Sequence, residues 1–215
     1  MSGSRSVLLL GATGLVGREC VRLLIADAAF SRVVVLTRRP LEPNVHAEKI
    51  ETHLVDFERL EDAGAHFAVD AIICALGTTM KHAGTQDRFR RVDFDYPVAA
   101  ARLGLAHGAK HFLVVSSLGA DAGSRIFYNR VKGELERAIL ALPYESVTIV
   151  RPSLLLGARH ELRPMESLGK WLRVLPLRRY KPVAASTVAA ARVRSAREGA
   201  TGKRILESDE LGGRG

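Results

Sequence analysis

Short apolar runs rich in valine, leucine and isoleucine recur along the chain. They fall at Ser6 to Leu10, Arg32 to Thr37, Ile50 to Val55, Ala71 to Leu76, His111 to Ser116 and Ser146 to Arg151, with a weaker seventh at Lys203 to Leu206. Runs of this length read as strands, and their nearly continuous apolar character is that of strands covered on both faces. Between them, apolar residues three and four apart predict helices near Leu15 to Ala26, Val92 to Ala106, Phe127 to Leu142 and Ser186 to Glu198. Strands alternating with helices argue for βαβ units joined by right-handed crossovers. The expected fold class is α/β, a doubly wound parallel sheet of six or seven strands with helices on both faces and a small C-terminal elaboration. Ligands in such a sheet sit above the carboxyl ends of the strands. With 215 residues, the chain reads as one domain, residues 1–215.

Composition narrows the class without changing it. Hydrophobic residues make up 47% and aromatic residues 6%, the balance of a packed globular protein rather than a fibrous or disordered one. No apolar run approaches the ~18 residues of a membrane helix, so no membrane partner is expected. Cys20 and Cys74 lie far apart in apolar stretches and read as buried free thiols of a reducing compartment, with no metal site and a cytoplasmic location expected.

The net charge of +9 raises the question of nucleic acid. Much of it is local. Residues 151–181 hold eight Lys or Arg against Glu161 and Glu166, a net +6, but few aromatics and no nucleic-acid module. Such a segment suits an anionic small ligand or a solvated basic face better than nucleic acid.

The first candidate site is "VLLLGATGLVGRE", where a strand runs into Gly11, Gly14 and Gly17 and then a helix. Missing side chains let the chain turn sharply, let backbone N–H groups approach a pyrophosphate, and let the helix pack closely on the sheet. About twenty residues further on, the second strand ends in Thr37, Arg38 and Arg39. An acidic residue there would accept hydrogen bonds from a ribose 2′-OH, whereas two guanidiniums can grip a 2′-phosphate, so the pair reads as specific for NADP(H). Asp56, after the third strand, is a candidate partner for the adenine amino group. Leu76 and Gly77, after the fourth, would cross the cofactor near its nicotinamide-side ribose.

Five features resemble the short-chain dehydrogenase/reductase superfamily, in its order: "GATGLVG", "ALGTT", "VVSS", Y-x-x-x-K from Tyr128 to Lys132, and "IVRPSLLLG". The stretches "CALGTTMKHAG", "FRRVDFDY", "KHFLVVSSLGAD" and "VKGELE" resemble its atypical branch, that of Tat-interacting-protein-type NADPH-binding oxidoreductases and bacterial epimerase-like proteins. The resemblance implies a Rossmann-type fold. It also implies NADP(H) lying along Thr13, Gly14, Leu15, Val16, Arg38, Arg39, Leu76, Gly77, Tyr128, Lys132, Leu155 and Arg163.

Residues four apart share a helix face, so Tyr128 and Lys132 can both enter the cleft above the sheet. A nearby ammonium favours phenolate, so Lys132 would tune Tyr128 while holding the nicotinamide ribose, as the family pattern implies. Ser116 or Ser117, at the tip of strand five, could hydrogen-bond a substrate oxygen, and Ser117 matches the family's serine. The expected reaction is reversible reduction of a small carbonyl, with Tyr128 protonating the developing alkoxide, Ser117 orienting it, and NADPH supplying hydride. The relay asparagine of better-known branches has no counterpart, since only Asn44 and Asn129 occur and Asn129 should point elsewhere. Two other functions stay open. One is a non-catalytic NADP(H)-responsive regulator acting on a protein partner, and the other is a sugar-nucleotide epimerase or dehydratase, which the short substrate region disfavours. A homodimer is compatible with either. The substrate itself would be set by residues 156–180, which hold His160 and Trp171 but no readable chemistry.

Overall fold

A computed structural model describes residues 4–42, 47–153, 155–156 and 183–211. Seven parallel strands form its sheet: β1 (Arg5–Leu10), β2 (Phe30–Thr37), β3 (Ile50–Leu54), β4 (Ala71–Cys74), β5 (His111–Val115), β6 (Ser146–Arg151) and, after two short strands, β9 (Gly202–Glu207). The order across the sheet is β3-β2-β1-β4-β5-β6-β9. Among the described residues, the two short strands, β7 (Leu155–Leu156) and β8 (Val183–Ala184), pair with each other in a separate sheet.

Alternation along each strand supplies two cores. Val7, Leu9, Val33, Val35, Ile73 and Leu113 face one way, beneath α1 (Leu15–Ala26) and α6 (Ala185–Glu198). Leu8, Leu10, Val34, Leu36, Ile72, Phe112 and Val114 face the other, beneath α4 (Tyr96–Ala106) and α5 (Phe127–Leu140). Helices on both faces are what near-continuous apolar strands demand. On the α6 face, Arg192 is fully buried and its Nη2 donates to the carbonyls of Cys74 at 2.6 Å and Leu113 at 3.0 Å. Burial pulls its pKa down, and Nε and Nη1 have no hydrogen-bond partner among the described residues.

Three stretches depart from the pattern reading. Residues 57–67 form a run of 3₁₀ turns broken at Arg59, with Phe57, Leu60, Ala63 and Phe67 buried, a spacing of mostly three that suits three residues per turn. The expected helix at 92–106 is the end of a longer helical rod. After the single turn α2 (Met80–Ala83), α3 (Gln86–Arg90) leads into a π turn at Arg91–Asp95 and then into α4. Strand β4 also stops at Cys74, two residues early, which frees Ala75 to Thr78 to form a turn.

One buried group at the amino end of the sheet gives a pH signature. His111 is 4% exposed, its Nε2 lies 2.9 Å from Thr148 Oγ1, and burial, with help from Arg5 and Arg204, drops its pKa to about 4. The folded value lies below the unfolded one, so the unfolded chain takes up the extra proton in the window between them. Stability should therefore rise with pH from about 4 to 6.5, by up to about 3 kcal/mol from this residue. Thermal melts across that window should show a smaller pH slope in His111→Gln than in the wild type. An unchanged slope would remove His111 as the cause.

Candidate active site and its relatives

The strand order reverses between β1 and β4, which opens a crevice above their carboxyl ends. The turns that follow the two strands touch there. Gly11 has φ +82°, and a Cβ on it would lie 2.5 Å from the carbonyl oxygen of Ala75, so no other residue fits without displacing backbone. A Cβ on Gly17 would lie 2.0 Å from the Gly11 carbonyl oxygen, which fixes how closely the first turn of α1 approaches the loop. Gly14 stands as N-cap with no side-chain cap. The cradle is thus shaped by absent side chains, with first-turn N–H groups lacking intrahelical acceptors, and it fits a pyrophosphate. Thr13 and Leu15 line the same turn, while the side chain of Val16 is buried in the core, so only its backbone is available to a ligand.

Beyond β2, Thr37 is 4% exposed and its hydroxyl donates to the Arg39 carbonyl at 2.8 Å, closing a tight turn. Arg38 and Arg39 project from it as exposed side chains, and neither has a carboxylate partner among the described residues. Asp56 is exposed and caps the following 3₁₀ run, its Oδ1 accepting from the Glu58 amide at 2.9 Å. Beside this end, the Tyr96 hydroxyl donates to Glu58 at 2.7 Å. Burial, then that bond, pushes its pKa up to about 12.

Tyr128 and Lys132 lie one turn apart near the start of α5. The helix is held to the sheet by Glu136, buried one turn beyond, which accepts from Arg151 of β6 at 2.9 and 2.5 Å. Tyr128 is half-buried, its ring 5.4 Å from that of Phe89, and its hydroxyl makes no hydrogen bond among the described residues. Lys132 is only 4% exposed. Its Nζ lies 3.5 Å from the Val115 carbonyl at the end of β5, which brings α5 against the tip carrying Ser116 and Ser117. Both serines are buried, and neither hydroxyl has a hydrogen-bond partner among the described residues. The Asn129 side-chain amide lies against Gly119, in the loop after β5, where a Cβ would come within 3.4 Å of its Nδ2.

The pattern reading missed one residue. Asp93, in the π turn, is 1% exposed, and its Oδ1 lies 2.7 Å from Lys132 Nζ. Its Oδ2 accepts from the Thr78 amide at 2.8 Å, in the turn after β4 that contains Leu76 and Gly77. Burial works against the Lys132 ammonium. Asp93, with Tyr128 and Cys74, outweighs that and holds the pKa above the usual lysine value. The signal was in "FRRVDFDY", since a lysine sent into a dry cleft calls for a counter-ion and Asp93 is flanked by apolar residues.

Arg163, most of the basic segment 151–181 and all of the loop 156–180 beyond Leu156 lie outside the described residues. Leu155 is placed only as backbone in β7. Among the described residues, no His, Cys, Asp or Glu cluster is placed to hold a metal, and no helix is long and apolar enough to cross a membrane.

Comparison with known proteins decides the family. A family profile described as NAD(P)H-binding matches residues 11–159, which contain the glycine turn, the arginine pair, both serines, Tyr128 and Lys132. The chain belongs to this NAD(P)H-binding family. It is 39% identical over 171 residues to rat HTATIP2, covering 79% of this chain and 69% of that protein. It is 32% identical over 207 residues to the mitochondrial protein FMP52 of Candida albicans, covering 92% and 90%. At these identities and coverages the chain is a homologue of the HTATIP2 and FMP52 proteins. The name of the Candida relative places it in mitochondria, so the cytoplasmic location expected from the cysteines has no support there.

More distant solved structures share the fold. WbmG of Bordetella bronchiseptica in complex with NAD is 15% identical with a TM-score of 0.69, covering 97% of this chain and 74% of that one. MoeE5 in complex with UDP-glucose and NAD is 19% identical with a TM-score of 0.69, covering 94% and 75%. At such identities the likeness speaks for the doubly wound, Rossmann-type sheet.

Proposed function

We propose that the chain is an NADP(H)-dependent oxidoreductase that interconverts a small carbonyl compound and its alcohol. The observation that carries this reading is the pair of buried, unpartnered hydroxyls of Ser116 and Ser117, beside the face of α5 that bears Tyr128 and Lys132. Buried hydroxyls are ordinarily hydrogen-bonded, so two orphans at a strand tip mark where ligand oxygen atoms belong. Ser117 holds the substrate oxygen, Tyr128 exchanges its proton with that oxygen, and Lys132 holds the ribose next to it. The cofactor, when bound, supplies or accepts hydride. Arg38 and Arg39 grip a 2′-phosphate, and Gly11 to Val16 carry the pyrophosphate.

A second reading is favoured by the Asp93–Lys132 pair, because a carboxylate 2.7 Å from the ammonium already neutralises its charge. Under it the chain is an NADP(H) sensor whose occupancy is read by a protein partner. Screening a panel of small aldehydes and ketones with NADPH and with NADH separates the two. Turnover with NADPH is the expected result. Dinucleotide-dependent partner binding without turnover on any panel member would replace the enzyme reading by the sensor. Tightly retained, non-exchanging cofactor with activity on a nucleotide sugar would instead favour an epimerase.

A further inference from the structure

We propose that Asp93 is a positioning residue that fixes the Lys132 ammonium and the Leu76–Thr78 turn in one relation, so that a nicotinamide dinucleotide meets both already in place. This inference rests on the reading of Lys132 as a cofactor-lining residue. Each carboxylate oxygen has its own task, with Oδ1 at 2.7 Å from Lys132 Nζ and Oδ2 at 2.8 Å from the Thr78 nitrogen. The turn lies close over the carboxylate, since a Cβ on Gly77 would be 3.5 Å from Oδ1. At 1% and 4% exposure the partners are shut off from water, so the lysine cannot wander as it would in a surface pair.

The local backbone explains how an aspartate comes to be there. In an uninterrupted α-helix, successive residues step round by a constant angle. The π turn at Arg91–Asp95 takes up an extra residue, and within it Asp93 is buried while Asp95 is exposed. π turns inside helices are frequent at functional sites. Here the irregularity delivers a charge to the floor of the cleft.

The charged and titratable groups acting on Lys132 are Asp93 from the π turn, Tyr128 from its own helix and Cys74 from β4. Asp93 is the carboxylate among them. Removing its charge leaves a fully buried ammonium without compensation, and burial alone drives a lysine pKa down by several units. Asparagine at 93 keeps an acceptor for the Thr78 amide and removes only the charge. Lys132 would then lose its proton at a lower pH than in the wild type, and with it the charge that strengthens its hydrogen bond to a ribose hydroxyl.

The test is fluorescence titration of the chain with NADPH at several pH values between about 5.5 and 9, a window that covers a lysine lowered by several units from its ordinary ~10.4. Relative to the wild type, Asp93→Asn should bind within about threefold at the acid end and about ten- to a hundredfold more weakly at the alkaline end. Lys132→Met should be weak throughout. An Asp93→Asn profile parallel to the wild type would overturn the inference while leaving the cofactor site standing. NADPH binding undiminished in Lys132→Met, or absent in the wild type, would overturn the underlying reading and the inference together. If Asp93→Asn does not fold, the double variant with Lys132→Met decides. A folded double variant with the affinity of Lys132→Met supports the pairing, and an unfolded one assigns Asp93 to the Thr78 turn alone and overturns it.

Discussion

Tyr128→Phe is expected to lower turnover on a carbonyl substrate by about 10²- to 10⁴-fold, the usual contribution of a positioned general acid, while NADPH affinity stays within about threefold. The substitution isolates the hydroxyl. The ring packs 5.4 Å from Phe89, within a small cluster that includes Ala83, Phe127 and Val131, and phenylalanine keeps that packing. The hydroxyl makes no hydrogen bond among the described residues, so its removal strands no protein donor or acceptor. Fold and cofactor binding therefore have little reason to change, and proton transfer does. Single-turnover kinetics beside NADPH titration would check the split. Turnover close to wild type would remove Tyr128 from the chemistry and return the site to cofactor binding alone.

The second large effect is expected in cofactor choice. Replacing Arg38 and Arg39 by alanine should weaken NADPH binding by about ten- to a hundredfold for each guanidinium that no longer meets the 2′-phosphate, with little change for NADH. Both side chains are exposed and have no carboxylate partner among the described residues, so the fold gives up almost nothing with them. The geometry of the turn stays in place, because it is made by Thr37 and the Arg39 backbone. Titrating both dinucleotides against the double variant reads the difference directly. An equal loss for NADPH and NADH would show general electrostatic attraction in place of a 2′-phosphate clamp.

What could be read in the sequence follows from how local each cause is. Strands β1, β2, β4, β5 and β6 were legible because burial on both faces of a parallel sheet writes itself as runs such as "VLLL" and "RVVVLT". Even the exposed edge strand β9 showed through Ile205 and Leu206. Helix α1 was legible to the residue, since the glycine turn marks its start and apolar spacing its extent. The expectation of a ligand above the carboxyl ends of the strands came from the alternation of strands and helices, and the Gly11 and Ala75 turns meet at that end. The π turn was not legible, because one extra residue leaves a three-and-four spacing looking much as before. Asp93 was hidden for the same reason. Its role depends on meeting Thr78 and Lys132, fifteen residues before it and thirty-nine after. The sequence has no counterpart of the relay asparagine, and beside the lysine the fold places a carboxylate that serves two neighbours.

Arg192 bears on a different question, which parts of the molecule can move. Its guanidinium is fully buried and bound to the carbonyls of Cys74 and Leu113, so α6 is pinned beneath β4 and β5 by a cation held on their backbone. Sliding α6 by a turn would drag that charge through the apolar layer formed with α1, at a cost no ordinary thermal fluctuation meets. Shear along that face is thereby suppressed. Opening and closing around a ligand then falls to the opposite side of the sheet, where short helices, the π turn and α5 meet, and where relaxation measurements should find the slow exchange.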